Sequence, residues 1–337
     1  MTAEPDGAAA DGTAPDGAGA AVTIGFIGLG HMGLPMTRRL VGAGHQVLGF
    51  DTSAAARRNF AAAEGPGQAT AVEHLDAVGT GADAVILMLP DSDVVERVLL
   101  GRLASEPAPA SEPASAAASG TGAGLLASLP AGSTVIDMSS SDPARTRVLA
   151  ELLAGSGVTL IDAPVSGGTA GARAGTLTVM VGGPAPAFAR FRPLLAAVGS
   201  RVVHAGDTGA GHAVKALNNL MSAATLLISA EALTAGRRFG LDPAVMLEII
   251  NGSSGRSAAT ETKWPRYILT EQYDAGFAAR LMVKDIRLAL SLTRAAGVPA
   301  AASEAVVATW AAALADLPPD ADHTAIARWV ADQTPGE

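Results

Sequence analysis

The sequence predicts an α/β protein in two parts: a doubly wound sheet domain over residues 22–206 and an all-helical C-terminal domain over 207–337, joined by a long interdomain helix. Two observations predict it. Short runs rich in β-branched residues alternate with helical stretches as far as His204, the pattern of βαβ units around a parallel sheet. From Gly209 onward strand signals stop and the remaining elements read as helix. The length agrees, since 337 residues fit two domains and a 49% hydrophobic content is ample for two cores.

Composition excludes several classes of function. With 23 basic against 32 acidic residues the net charge is -9, which argues against a phosphate-backbone footprint, so no nucleic-acid partner is expected. There is no cysteine, which rules out disulfides, thiolate nucleophiles and cysteine-ligated metals. The six histidines (His31, His45, His74, His204, His212, His323) never fall at metal-ligand spacing, so no metal is expected. Residues 1–21, rich in Ala, Gly, Asp and Pro without a basic residue, read as a disordered tail rather than a signal peptide. Charges such as Glu231, Asp83 and Asp91 interrupt the most apolar windows, so no membrane span is expected and the cytoplasm is the default location.

The first ordered element is Val22 to Ile27, an apolar strand followed at once by Gly28-Leu29-Gly30-His31-Met32-Gly33 and a helix with Pro35 early in it. In a Rossmann-type dinucleotide fold the first glycine makes the turn, the second lets the backbone approach pyrophosphate, and the third lets helix pack on strand. The phosphate then lies against the free N–H groups of the helix N-terminus. A second strand, Gln46 to Phe50, ends at Asp51, where an acid would accept hydrogen bonds from the adenosine ribose and repel a 2′-phosphate. That favours NAD, with NADP as the alternative because Arg57 and Arg58 follow shortly; the exposed helix face is the ordinary place for both.

Ala84 to Leu89 is a continuous apolar strand ending at Pro90, and Val94 to Leu100 begins a helix. Residues 101–124 are of low complexity and read as a flexible insertion. Ser133 to Ser141 forms a strand whose carboxyl end carries hydroxyls, so Ser140 is a candidate ligand contact, although Ser141 or Asp142 before Pro143 also suits a helix cap. Thr159 to Asp162 is a strand leading into Ala163-Pro164-Val165-Ser166-Gly167-Gly168, a loop able to present several N–H groups to a carboxylate. Strands at Leu177 to Val181 and Arg201 to His204 flank a helix from Pro186 to Val198.

The long helix is expected over 212 to 239, followed by helices at about 243 to 251, 284 to 296, 302 to 316 and 323 to 332. It carries Lys215 and Asn219 one turn apart on a single face, with Asn218 adjacent, among alanines and leucines. A lysine there either snorkels to water or sits in a pocket, where desolvation lowers its pKa toward the range of an acid/base catalyst. Asn251 to Ser257 is a loop with Arg256 suited to holding a carboxylate, and Phe277 to Ile286 is an amphipathic segment in which Lys284-Asp285 has the look of a solvated pair.

Four ordered motifs now stand together: Gly28-x-Gly30-x-Met32-Gly33-x-x-Met36, Asp162-Ala-Pro-Val-Ser166-Gly-Gly168, Gly209-x-Gly211-x-x-x-Lys215-x-x-Asn218-Asn219, and Lys284-Asp285-Ile286. Over about Val22 to Val330 the chain closely resembles the β-hydroxyacid dehydrogenase family, which includes 3-hydroxyisobutyrate dehydrogenase and tartronate semialdehyde reductase. The resemblance implies that Gly28, Gly30 and Gly33, with Leu29, His31 and Met32 between them, seat the pyrophosphate. Leu89, Pro90 and Ser140 would line the nicotinamide end, with Phe277 and Lys284 as further cofactor contacts. Ser166, Gly167, Gly168 and Asn218 would hold substrate, Lys215 would be the acid/base and Asn219 its companion. It further implies an NAD- or NADP-dependent dehydrogenase of a 3-hydroxy acid or semialdehyde, assembled as a homodimer or homotetramer. Arg256, with Lys263 as second candidate, is expected to read a further polar or acidic substrate group. Imine reduction on the same fold, or a catalytically silent NAD sensor, is the alternative; imine reductases usually lack the lysine found at 215.

Overall fold

The computed structural model describes residues 22–101 and 124–333, so the expected tail and nearly all of the expected insertion lie outside the described residues. The sheet half runs β1 (Thr23–Ile27), α1 (Gly33–Gly42), β2 (Gln46–Phe50), α2 (Ala54–Ala61), β3 (Gln68–Ala71), α3 (Asp76–Gly81), β4 (Ala84–Leu87) and α4 (Ser92–Leu100). It continues with a 3-10 turn (Leu125–Ser128), β5 (Thr134–Asp137), α5 (Pro143–Ala154), β6 (Thr159–Asp162), β7 (Val165–Ser166), α6 (Gly168–Ala174), β8 (Thr178–Gly182), α7 (Ala185–Ala196) and β9 (Arg201–Gly206). The helical half holds α8 (Ala210–Arg238), α9 (Pro243–Asn251), a π-helix (Ala259–Ile268), α10 (Ala279–Ala295), α11 (Ala301–Asp316), a 3-10 turn (His323–Ala325) and α12 (Ile326–Asp332).

Strands β3-β2-β1-β4-β5-β6 lie side by side and all parallel. Chain order reverses between β1 and β4, and in such sheets the crevice beyond the strand ends at that point takes the ligand. The far edge departs from an all-parallel sheet: β8 pairs antiparallel with the end of β6 and with β7, and parallel with β9. Two apolar layers cover the two sheet faces, one under α1, α6 and α7 and one under α4 and α5. A third core, centred on Leu226, Leu233, Trp264, Ile286 and Trp310, belongs to the helical half. Helix starts are set by side chains: Ser53, Asp91, Asp142 and Asp242 each accept a backbone N–H of the following turn. Asp142 is therefore a cap.

Helix α8 is 29 residues long and passes the length and hydropathy test for crossing a membrane, which corrects the expectation that no window does. Packing within the chain accounts for part of the apolarity, since 39% of that window is buried. The first turns of α8 pack on β8 and β9, and the rest packs on α10 and α12. Two carboxylate bonds fix its start: Asp162, wholly buried at the end of β6, accepts Gly209 N at 2.7 Å and His212 N at 2.8 Å. Glycines make room for them, since a Cβ at Gly182 would lie 2.5 Å from Asp162 Oδ1 and one at Gly211 2.9 Å from Oδ2.

Candidate active site

The turn between β1 and α1 is shaped by two contacts that leave no space for side chains. A Cβ on Gly28, whose φ is +99°, would lie 2.3 Å from Met88 O, and one on Gly33 would lie 1.8 Å from Gly28 O. Gly30 is different, with no atom within 4 Å of its missing Cβ. The chain's own packing does not ask for glycine there, but a pyrophosphate lying on the turn would. The adjoining cavity of about 710 Å³ is lined by Gly30, His31, Ser53, Ala56 and Asn59 among others, room for the adenosine half of a dinucleotide. Asp51 accepts Leu29 N at 2.8 Å on Oδ2 and Ser53 N at 2.8 Å on Oδ1, which fixes its carboxylate at the end of β2. Arg57 is not on an exposed face as expected; its side chain is 17% exposed, donates to Asp51 O at 2.6 Å and lies 3.9 Å from Glu73.

Beyond the turn a cleft of about 700 Å³ opens between sheet and helices. His31, Met32, Met88, Leu89, Pro90 and Ser140 line its sheet side. Val165, Gly168 and Thr169 line it from the β7–α6 turn, where Gly167 (φ +132°) and Gly168 (φ +61°) hold a conformation that favours glycine. Lys215, Phe277, Lys284, Asp285 and Asp322 close it from the helical side.

Lys215 is 9% exposed. Burial is the main cause that lowers its pKa from the ordinary lysine value; the charge of Asp285 opposes that shift and the charge of Lys284 adds to it. Asp285 is buried and accepts Asn219 Nδ2 at 2.6 Å. Lys284 Nζ lies 3.2 Å from Asp285 Oδ1 and donates to Pro90 O at 3.0 Å and to Ser140 O, joining α10 to the loops after β4 and β5. Behind Lys215, one turn back on α8, His212 bridges Thr146 Oγ1 at 2.8 Å and Ser139 O at 3.1 Å.

A profile described as the NAD-binding domain of 6-phosphogluconate dehydrogenase matches residues 23–206, and one described as the NAD-binding of NADP-dependent 3-hydroxyisobutyrate dehydrogenase matches residues 209–330. The 2-(hydroxymethyl)glutarate dehydrogenase of Eubacterium barkeri is 40% identical over 278 residues, 82% of this chain and 84% of the relative. The chain belongs to the β-hydroxyacid dehydrogenase family. The 3-hydroxyisobutyrate dehydrogenase of Pseudomonas aeruginosa is likewise 40% identical, over 81% of this chain and 85% of its own. Among solved structures, the Mycobacterium tuberculosis 3-hydroxyisobutyrate dehydrogenase with L-serine superposes with a TM-score of 0.77 at 32% identity, covering 92% of this chain and 99% of that one. As a β-hydroxyacid dehydrogenase the chain is an NAD(P)-dependent oxidoreductase acting on hydroxyl groups.

Of the residues singled out for a β-hydroxyacid dehydrogenase, His31, Met32, Leu89, Pro90, Ser140, Gly168, Lys215, Phe277 and Lys284 line this one cleft. Ser166 and Gly167 lie beside it in the β7–α6 turn, and Asn219 reaches it through Asp285. Two residues are placed elsewhere. Asn218 is exposed on the side of α8 that also carries the exposed Val214, Leu217 and Met221, its Nδ2 donating to Asn219 Oδ1 at 3.2 Å. Arg256 has a side chain 64% exposed and lies 3.7 Å from Glu261, so the structure does not bring it to the cleft. Asp285 is no solvated partner of Lys284, and its link to Asn219 was not visible in the sequence. The weak signal was position: Asp285 stands next to a lysine at the start of an amphipathic helix.

Proposed function

We propose that the enzyme interconverts a small 3-hydroxy carboxylate and its aldehyde or ketone, with Lys215 as general acid/base and NAD as preferred cofactor. The observation that carries this is the buried amine of Lys215, facing the cleft whose other walls are the loops after β1, β4 and β5 and the β7–α6 turn. Bound nicotinamide supplies the acceptor and donor of the hydride at substrate C3. Lys215, neutral, takes the hydroxyl proton in oxidation; as ammonium it polarises the carbonyl and returns the proton in reduction. Asn219 holds the Asp285 carboxylate in place, and Asp285 in turn balances Lys215 and Lys284. Backbone N–H groups of the Ser166–Gly168 turn offer a seat for the substrate carboxylate. The names of the relatives, 3-hydroxyisobutyrate and 2-(hydroxymethyl)glutarate dehydrogenases, support the same class of substrate.

NAD follows from Asp51, whose charge repels a 2′-phosphate. Arg57 is engaged with the Asp51 carbonyl, and Arg38, Arg39 and Arg173 on the same cavity are the cations that an NADP 2′-phosphate would have to use. The test is nicotinamide reduction by the purified protein with NAD and separately NADP, over 3-hydroxyisobutyrate, 3-hydroxypropionate, serine, glycerate, threonate and 2-(hydroxymethyl)glutarate. Turnover of at least one, favouring NAD, is expected. Binding of NAD with no turnover of any would overturn the reading.

We also infer a homodimer built on α8 and α9. Val214, Leu217, Met221 and Ile228 form an exposed stripe along α8, continued by Phe239, Val245 and Ile249, with Met221 70% and Phe239 85% exposed. An apolar surface that long marks an interaction site, and a stripe carried by the catalytic helix suits a second copy meeting it by twofold symmetry. Met221→Asp is expected to lower the mass measured by light scattering to that of one chain; an unchanged mass would remove α8 from the interface.

A further inference from the structure

The helical half carries one more cation, the half-buried Lys263, that the chemistry above does not use. It stands on the ten-residue π-helix Ala259–Ile268, a rare geometry that recurs at functional sites. Its Nζ donates to Ser222 Oγ at 2.9 Å. Ser222 lies seven residues after Lys215, two turns along the same face of α8 and about 10 Å up its axis. Asp322, on the cleft wall, is the charge that acts on this amine.

The amine has no ion-pair partner among the described residues. Asp322 cannot turn to it, because its oxygens already accept Gly276 N at 2.8 Å, Phe277 N at 3.0 Å, Thr324 N at 2.9 Å and Thr324 Oγ1 at 2.6 Å, with His323 at 3.2 Å. An ammonium has three donors, and one is engaged. Burial pulls the Lys263 pKa down to about 8, so the amine remains largely charged near neutrality while lacking a counter-ion. A carboxylate arriving with a ligand would supply it.

Three groups then divide a substrate between them. The Ser166–Gly168 turn takes the carboxylate next to the reacting carbon, Lys215 takes the hydroxyl, and Lys263, held on Ser222 just beyond the residues that line the cleft, stands farther along α8. We propose that Lys263 reads a second carboxylate, making this a dehydrogenase of 3-hydroxy dicarboxylates in preference to 3-hydroxy monocarboxylates. The proposal rests on the dehydrogenase reading above. It assigns to Lys263 the role first expected of Arg256, which faces solvent.

The experiment compares kcat/KM for 2-(hydroxymethyl)glutarate and 3-hydroxyisobutyrate in the wild type, Lys263→Met, Lys263→Arg and Arg256→Gln. Calorimetry adds the affinity of unreactive glutarate for the NAD-saturated protein. The wild type is expected to favour the dicarboxylate at least tenfold. Lys263→Met should raise its KM at least tenfold and abolish glutarate binding, with 3-hydroxyisobutyrate turnover within twofold, while Arg256→Gln changes neither. Should Lys263→Met fail to fold, Lys263→Arg, which keeps the charge, should retain the preference and the glutarate affinity. A wild type that favours the monocarboxylate, or glutarate affinity unaltered in the Met variant, would overturn the proposal. Glutarate binding that depends on Lys263 without turnover of either acid would keep the dicarboxylate site and reject the dehydrogenase reading instead.

Discussion

Lys215→Ala should lower kcat by about 10²–10⁴-fold, the usual worth of a positioned acid/base, while leaving NAD affinity unchanged. Lys215 belongs to α8 and the pyrophosphate is expected on the β1–α1 turn, so proton transfer and cofactor binding rest on different elements. The same lysine sets a pH signature. Its folded-state pKa lies below that of a free lysine, so the acid limb of the oxidation rate should also lie below that value. Lys284→Gln removes a neighbouring positive charge and should move the limb up; Asp285→Asn removes a negative one and should move it down. Stability follows the same sign. Between the folded pKa and the higher unfolded one the unfolded chain binds more protons, so the burden of burying Lys215 shrinks as pH rises through that window. Stopped-flow rates against pH and thermal unfolding of the three variants check these signs. A Lys215→Ala enzyme with undiminished kcat would exclude the role given to it.

Gly33→Ala should damage the protein severely. The added carbon would lie 1.8 Å from Gly28 O and 3.0 Å from the Phe26 ring, and the first of these is backbone that cannot step aside. Either α1 shifts on the sheet or the turn opens, at a cost of about 1–3 kcal/mol or more, and NAD affinity should fall with it. Gly30→Ala is the informative contrast. With nothing within 4 Å of its missing Cβ, it should leave the melting temperature unaltered and weaken NAD at least tenfold by standing where the pyrophosphate rests. Melting curves and NAD titrations of the two variants separate packing from ligand contact. Equal NAD affinity in Gly30→Ala and wild type would place the pyrophosphate elsewhere.

Much of the sheet half was legible because strands buried on both faces read as unbroken apolar runs, as in Ala84–Leu87. Strand β3, Gln68–Ala71, was not, since an edge strand with alternate residues exposed carries no such run. The π-helix was invisible for a related reason: Pro265 interrupts it and its turn is wider than the period a helical pattern assumes. Helix α10 begins at Ala279, five residues before the expected start at Lys284, because its first turn has its own apolar residues in Leu281 and Met282. At the site, Lys215 was legible as a lysine among apolar neighbours. What neutralises it was not, because adjacency in sequence does not say that Asp285 turns inward while Lys284 reaches across to Pro90 and Ser140. Arg256 shows the converse, since a glycine-rich loop can aim a guanidinium at ligand or at water with the same residues.

The grip of Asp162 on the first turn of α8 has a consequence for motion. That carboxylate fastens the catalytic helix to the end of β6, and Lys284 ties α10 back to the loops after β4 and β5. A swing of the helical half against the sheet would have to break both ties. With both ties kept the cleft keeps its depth, and discrimination then falls to the side chains along its wall. A new specificity in this scaffold would come from replacing wall residues, with these two ties left alone.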